Sequence, residues 1–172
     1  MAKRDRQRLS REVVLGAAAK IAGRDGLDAL SMRRLAQELD AWPMSIYTYF
    51  RDKDELLDAL TDSAVETVTL PSGRATWRNQ IRALLHETRR VFGPDLASRL
   101  PRALKSPGLA RLADAGVAIL ARAGFDDRDA AAAWRALLSY TIGFALTSTE
   151  ADNREFERGL DILLDGLQAR SL

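Results

Sequence analysis

The stretch Pro43-Met44-Ser45-Ile46-Tyr47-Thr48-Tyr49-Phe50 gathers two tyrosines, a serine, a threonine and a methionine into eight positions. Hydroxyls of this kind bond phosphate oxygens. The methionine, the threonine methyl and Trp42 just before them suit contact with thymine methyls. Lys53 follows closely, and Lys3, Arg4, Arg6, Arg8 and Arg11 crowd the first eleven positions. Such an arm beside a helical module tracks a phosphate backbone or is simply a solvated tail. Residues 1–53 hold 11 Lys/Arg against 7 Asp/Glu, while the rest of the chain holds 15 against 17. The charge asymmetry therefore points the N-terminal end at an anionic partner.

Other chemistries lack their parts. The 172 residues include no cysteine, which removes disulfides, thiolate nucleophiles and cysteine zinc sites and fits a cytoplasmic setting. His86 is the single histidine, with neither a second histidine nor a cysteine to complete a metal site. Its plain reading is a structural or exposed helical residue. No nucleophile elbow or glycine-rich phosphate loop occurs, so neither an enzyme nor a cofactor is expected. No apolar run approaches the roughly 20 residues of a membrane span. The basic N-terminus has no apolar segment of the signal-peptide kind behind it.

The elements that must position these groups read as all-α, with about nine helices. Ser10 caps a helix over 11–24, whose Val14, Ala17, Ala18, Ile21 and Ala22 follow helical spacing, and Gly26 ends it. Ser31 caps a second helix with Leu35, Ala36 and Leu39 inward. After a turn at Asp40-Ala41, Pro43 opens a third, where its missing N–H costs nothing. On that helix Ile46 and Phe50 are i, i+4 partners facing the core. Trp42, Met44, Ser45, Tyr47, Thr48 and Tyr49 are left outside. Asp52 and Glu55 form a capping box for a fourth helix over 53–69, with Leu56, Leu57, Leu60, Ala64 and Val68 on one face. Further helices are expected over 75–92, 95–104, from Ser106-Pro107 to Gly124, from Asp126 or Asp127 to Ser148, and from 152 to 169.

Two short helices and a tight turn make a helix-turn-helix, whose second helix enters the DNA major groove. The competing reading is a helical hairpin inside an ordinary α-domain. The residues "LSREVVLGAAAKIAGRDGLDALSMRRLAQEL" and "PMSIYTYFRDKDELLDAL" resemble the DNA-binding domain of the tetracycline-repressor (TetR) family of bacterial transcription regulators. The resemblance covers about 8–60 and rests on Ser31, Leu35-Ala36, Tyr47-x-Tyr49-Phe50, Lys53 and Glu55-Leu56. It implies that Tyr47 contacts phosphate, that Tyr49 contacts the backbone, and that Lys53 at the fourth helix's N-terminus pairs with phosphate. Met44, Ser45 and Thr48 occupy base-reading places. The full DNA-facing set is then Lys3, Arg4, Ser31, Arg33, Trp42, Met44, Ser45, Tyr47, Thr48, Tyr49 and Lys53. Two positions depart from the family. Asp40 stands where a turn glycine is usual, and Trp42 where Ser or Thr often opens the recognition helix.

The looser likeness of the remainder, including Trp77-Arg78, implies a ligand-binding and dimerisation domain. The division is 1–53 for DNA binding with its basic arm and 54–172 for sensing and dimerisation. Partners implied are a palindromic double-stranded operator, a small-molecule effector and a second copy of the chain, with no membrane. The expected pocket is Trp77, Ile81, Leu85, His86, Arg89, Arg99, Trp134, Leu138 and Thr141. The expected dimer interface is Tyr140, Phe144, Phe156, Leu160, Leu163, Leu164 and Leu167, which alternatively pack within one core. The function implied is a ligand-responsive regulator, most simply a repressor. The alternative is a DNA-architectural or helical interaction protein without an effector.

Overall fold

The computed structural model describes residues 9–71, 73, 75–92, 106–147 and 153–169. Among them are eight helices and no strand. They are α1 Arg11–Asp25, α2 Met32–Glu38, α3 Pro43–Tyr47, α4 Lys53–Glu66, α5 Trp77–Val91, α6 Pro107–Arg122, α7 Asp127–Thr147 and α8 Asn153–Gln168. The helix expected over 95–104 lies outside the described residues. No helix among them is long and apolar enough to cross a membrane. The chain divides into two compact units, Met1–Thr61 and Asp62–Leu172. The first unit runs past position 53 because Leu56, Leu57 and Leu60 of α4 belong to its core.

Local chemistry sets the first unit's elements. The Ser10 hydroxyl accepts the Val13 N–H at 3.2 Å, and that of Ser31 accepts the Arg34 N–H at 3.1 Å. Each satisfies one of the donors that a helix start leaves unpaired. Gly26 leaves α1 at φ 83°, the left-handed side that favours glycine. Asp40 takes φ 48° between α2 and α3, so the aspartate does hold the turn conformation that glycine usually supplies. Asp52 accepts the Glu55 N–H at 2.8 Å while the Glu55 carboxylate accepts the Arg51 N–H at 2.9 Å, which starts α4 at Lys53. The core beneath is Val14, Ala18, Ile21, Leu30, Leu35, Ile46, Phe50 and Leu56, all without accessible surface. Each large member contributes about 1.5–3 kcal/mol through burial.

In the second unit α5, α6, α7 and α8 enclose a separate core of Ile81, Leu84, Leu85, Leu112, Leu120, Leu137, Phe156, Leu160 and Leu164. The end of α4 differs from expectation. Its helix stops at Glu66, and Val65 with Val68 rather than Ala64 enters this core. Gly116 matters here for its size, since a Cβ would come within 2.1 Å of the Trp134 ring. The indole therefore lies directly on the α6 backbone. Asp126, not Asp127, caps α7, accepting the Asp129 N–H at 2.8 Å. Along one side α5 and α8 are laced antiparallel by ion pairs and hydrogen bonds. Arg78 meets Asp165, Arg82 meets Asp161 and Glu157, His86 meets Glu157, and Arg89 donates to Asn153.

Candidate nucleic-acid interface and sensor core

α3 is held from below by Ile46 and Phe50, both fully buried. The helix backbone is therefore positioned by packing from beneath, which sets the direction of its outward side chains. Trp42 is 82% exposed, Met44 76% and Tyr47 45%, and Thr48 is exposed beside them. Ser45 is half-buried. Trp42 sits at the N-cap of α3 without a side-chain cap bond. Trp42, Met44 and Tyr47 are thus the large side chains that this turn leaves open to solvent.

Tyr49 is the departure. It is half-buried, and its hydroxyl donates to the Leu9 carbonyl at 2.6 Å. Its proton is committed within the chain and holds the segment before α1 against the end of α3. Sequence reasoning missed this because the partner is 40 residues away. Arg33 is exposed on α2. Its neighbour Arg34 is tied to Asp25 at 2.6 Å and Arg24 to Glu38 at 3.3 Å, so these two guanidiniums serve the fold. Ser31 is exposed, and with its oxygen accepting the Arg34 N–H its proton remains to donate outward. Lys53 is the first residue of α4, where the helix dipole adds positive potential for an anion. Lys3 and Arg4 lie outside the described residues.

Asp52 is held below the usual carboxylate range, first by the Glu55 backbone N–H and then by the Arg51 guanidinium. It stays ionised at neutral pH and keeps the cap closed at the end of α4 that carries Lys53.

In the second unit the expected pocket residues separate into two groups. Ile81, Leu85 and Trp134 share the buried core, with Trp77 and Leu138 packed against it. Trp77 meets Phe125 edge-on at 5.7 Å. Thr141 is fully buried, and its hydroxyl donates to the Leu137 carbonyl at 2.9 Å. His86 and Arg89 belong instead to the α5–α8 side. His86 pairs with Glu157 and meets Phe156 edge-on at 5.5 Å. The Arg89 guanidinium lies 4.5 Å from the Phe156 ring centre and 5.0 Å from that of Phe144. Arg99 is outside the described residues. Two buried polar atoms have no hydrogen-bond partner among the described residues, Trp134 Nε1 and Gln80 Oε1. An unpaired buried polar group costs about 1–3 kcal/mol, so both are candidates for meeting a bound molecule. Gln80 was not anticipated. The signal was a lone amide on the apolar stripe of Ile81, Leu84 and Leu85.

The expected interface residues also separate. Phe156, Leu160 and Leu164 have no accessible surface within the single chain. Tyr140 stacks on Phe156 at 5.5 Å, donates to the Phe156 carbonyl at 3.0 Å and covers Gly159, while Phe144 meets Phe156 at 5.4 Å. These five close their own subunit's core. Leu163 and Leu167 line an open apolar groove between α7 and α8, together with Ala136, Gly166 and Ile162. Ile162, 68% exposed, was not anticipated. Among the described residues no three His, Cys, Asp or Glu groups converge as a metal site.

These two arrangements match known proteins. Residues 14–60 match the family of bacterial regulatory proteins called the tetR family, and residues 70–155 match the tetracyclin repressor-like C-terminal domain. A transcriptional regulator of the helix-turn-helix type from Saccharopolyspora erythraea is 36% identical over 141 residues, covering 78% of this chain and 59% of that protein's length. The crystal structure of BioQ with its natural double-stranded DNA operator is similar at a TM-score of 0.80 and 32% identity, covering 94% of this chain and 99% of that one. ActR of Streptomyces coelicolor in complex with actinorhodin is similar at a TM-score of 0.82 and 26% identity, covering 96% of this chain and 99% of that one. The chain belongs to the tetracycline-repressor family of helix-turn-helix transcriptional regulators.

Proposed function

We propose that this protein is a homodimeric repressor that holds a palindromic operator and releases it when a small molecule binds in the second unit. The observation that carries the reading is the outward set Trp42, Met44, Tyr47 and Thr48 on a helix anchored by Ile46 and Phe50, followed by Lys53 at a helix start. DNA contact is assigned to these residues with Ser31, Arg33 and the Lys3-Arg4 arm, so the DNA-binding function divides from the rest at about position 53. The protein acts in the cytoplasm and catalyses no reaction.

The effector is a mostly apolar molecule with a few polar groups. It contacts Trp77, Ile81, Leu85, Trp134 and Leu138, and offers an acceptor to Trp134 Nε1 and a donor to Gln80 Oε1. What supports an effector over a purely architectural role is this pair of unpartnered buried atoms, and the binding of actinorhodin by the similar ActR. The groove around Ile162, Leu163 and Leu167 seats the same two helices of a second copy, forming a four-helix contact.

α4 is the covalent link, with Lys53 in the first unit and Val65 in the second. In a dimer the recognition helices must stand about 34–36 Å apart to enter successive major grooves. A ligand that prefers another α4 position by about 1–3 kcal/mol shifts operator affinity roughly 5- to 150-fold. Linkage then requires operator DNA to weaken ligand binding by the same factor. The test is calorimetry of one stabilising compound, taken from a thermal-shift screen, with free protein and with the protein–operator complex. Unequal affinities are expected. Equal affinities for every compound that binds would remove the effector from this account and leave the architectural alternative.

A further inference from the structure

We infer that each operator half-site is read through thymine methyl groups by Trp42 and Met44, and that within α2 and the recognition turn paired hydrogen-bond readout of bases falls to Arg33 and Gln37 of α2. The inference rests on the DNA-binding reading above and specifies what that surface recognises. Paired hydrogen bonds to base edges in the major groove come from Arg, Lys, Asn and Gln. The recognition turn from Ala41 to Phe50 contains none of them, nor any Asp or Glu. Two of its hydroxyls are committed within the chain, and that of the half-buried Ser45 offers a single short-reach group rather than a pair. The Thr48 hydroxyl turns back to the Met44 carbonyl at 3.4 Å, and the Tyr49 hydroxyl to the Leu9 carbonyl at 2.6 Å. Tyr47 keeps an exposed hydroxyl suited to phosphate.

What the turn presents most fully is apolar, an indole 82% exposed and a thioether chain 76% exposed, two residues apart at the start of α3. The indole Nε1 adds one donor, too little for a bidentate contact. Phosphates and polar base edges gain nothing from a thioether. The thymine C5 methyl is the apolar feature that the major groove offers. The second set follows from α2, where Arg33 and Gln37 are exposed and one helical turn apart, whereas Arg34 is held by Asp25. A half-site thus combines one hydrogen-bonded position with thymines set beside it.

Uracil differs from thymine only by that methyl, so it isolates the contact without disturbing pairing or phosphates. The experiment selects a duplex from a random-sequence library with the full-length protein. That duplex is then rebuilt with deoxyuridine at each half-site thymine in turn, and binding is followed by fluorescence anisotropy. Uracil at one or two thymines per half-site is expected to weaken binding about fourfold each. In Met44→Ala or Trp42→Ala the corresponding loss should vanish. Both side chains are exposed, so these variants keep the fold, which circular dichroism verifies. Equal binding of thymine and fully uracil-substituted duplexes would overturn the inference while leaving DNA binding intact. A uracil effect that persists undiminished in both variants would also overturn it. A selection that enriches no duplex would overturn the DNA-binding reading and this inference with it.

Discussion

The Asp62 carboxylate accepts the backbone N–H of Gly108 at 2.9 Å, so a side chain near the end of α4 closes the start of α6. Arg111 of α6 returns the contact, donating to the carbonyls of Glu66 and Val68 at 3.1 Å. Each helix supplies the charge that the other's unpaired terminus favours. Gly108 permits the approach, since a Cβ there would sit 2.7 Å from Asp62 Oδ1. Asp62→Ala is therefore expected to destabilise the protein by about 1–2 kcal/mol, as loss of a helix cap does. Arg111→Met should cost about 1 kcal/mol, and the double variant less than the sum. Chemical denaturation of the four proteins in the cycle measures this; strict additivity would mean that the two contacts act separately.

Tyr47 and Tyr49 should respond differently to the same change. Tyr47→Phe removes an exposed hydroxyl and is expected to weaken binding to all DNA sequences with little effect on stability. Tyr49→Phe removes the bond to the Leu9 carbonyl and should cost about 1 kcal/mol of stability. Thermal melts and gel shifts of both variants distinguish the roles. Unchanged melting of the Tyr49→Phe protein would mean that the hydroxyl's bond to Leu9 does not stabilise the fold.

Charge at two kinds of apolar position on α8 separates core from interface. Ile162→Arg faces the open groove and is expected to give folded monomers with weak operator affinity. Leu160→Arg or Leu164→Arg places a charge in the subunit's own core and should unfold it, since burying an unpaired charge is severely unfavourable. Sedimentation with circular dichroism reads both. An Ile162→Arg protein that stays dimeric would move the interface elsewhere.

Acid should loosen the α5–α8 lacing. Asp161 is held below its ordinary value, first by the hydrogen bond from Arg82. A carboxyl depressed by folding contributes stability above its unfolded value, about 3.9, and loses it as pH falls through the lower folded value. Stability should therefore be insensitive to this pair from pH 5 to 7 and fall below about pH 4. In Asp161→Asn that part of the acid dependence should be absent, which urea titrations at stepped pH would reveal.

The DNA-binding half was legible because its determinants are short-range. Ser10, Ser31, Asp52 and Glu55 act within four residues of themselves, and Pro43 and Asp40 act on their own backbone. The inward pair Ile46 and Phe50 follows from helical spacing alone. The sensor half was read less well because an apolar stripe says that a face is covered, not by what. Phe156, Leu160 and Leu164 cover α5 and α7 of their own subunit, whereas the solitary Ile162, off that stripe, marks the open side. The bond from Tyr49 escaped for a related reason, since its partner Leu9 lies beyond any local pattern.

DNA binding by α3 and the start of α4 is the claim on which the rest depends, and its ionic character tests it most directly. Fluorescence anisotropy with a selected duplex is measured from low to high salt for the wild-type protein and for Lys53→Ala. With about six phosphate contacts per dimer, log affinity should fall against log salt with a slope near about −5. Losing one lysine from each subunit should make it shallower by about 2, with base preference unchanged. No binding to any duplex at low salt would contradict the account. So would a Lys53→Ala protein that kept the full slope and changed its preferred sequence.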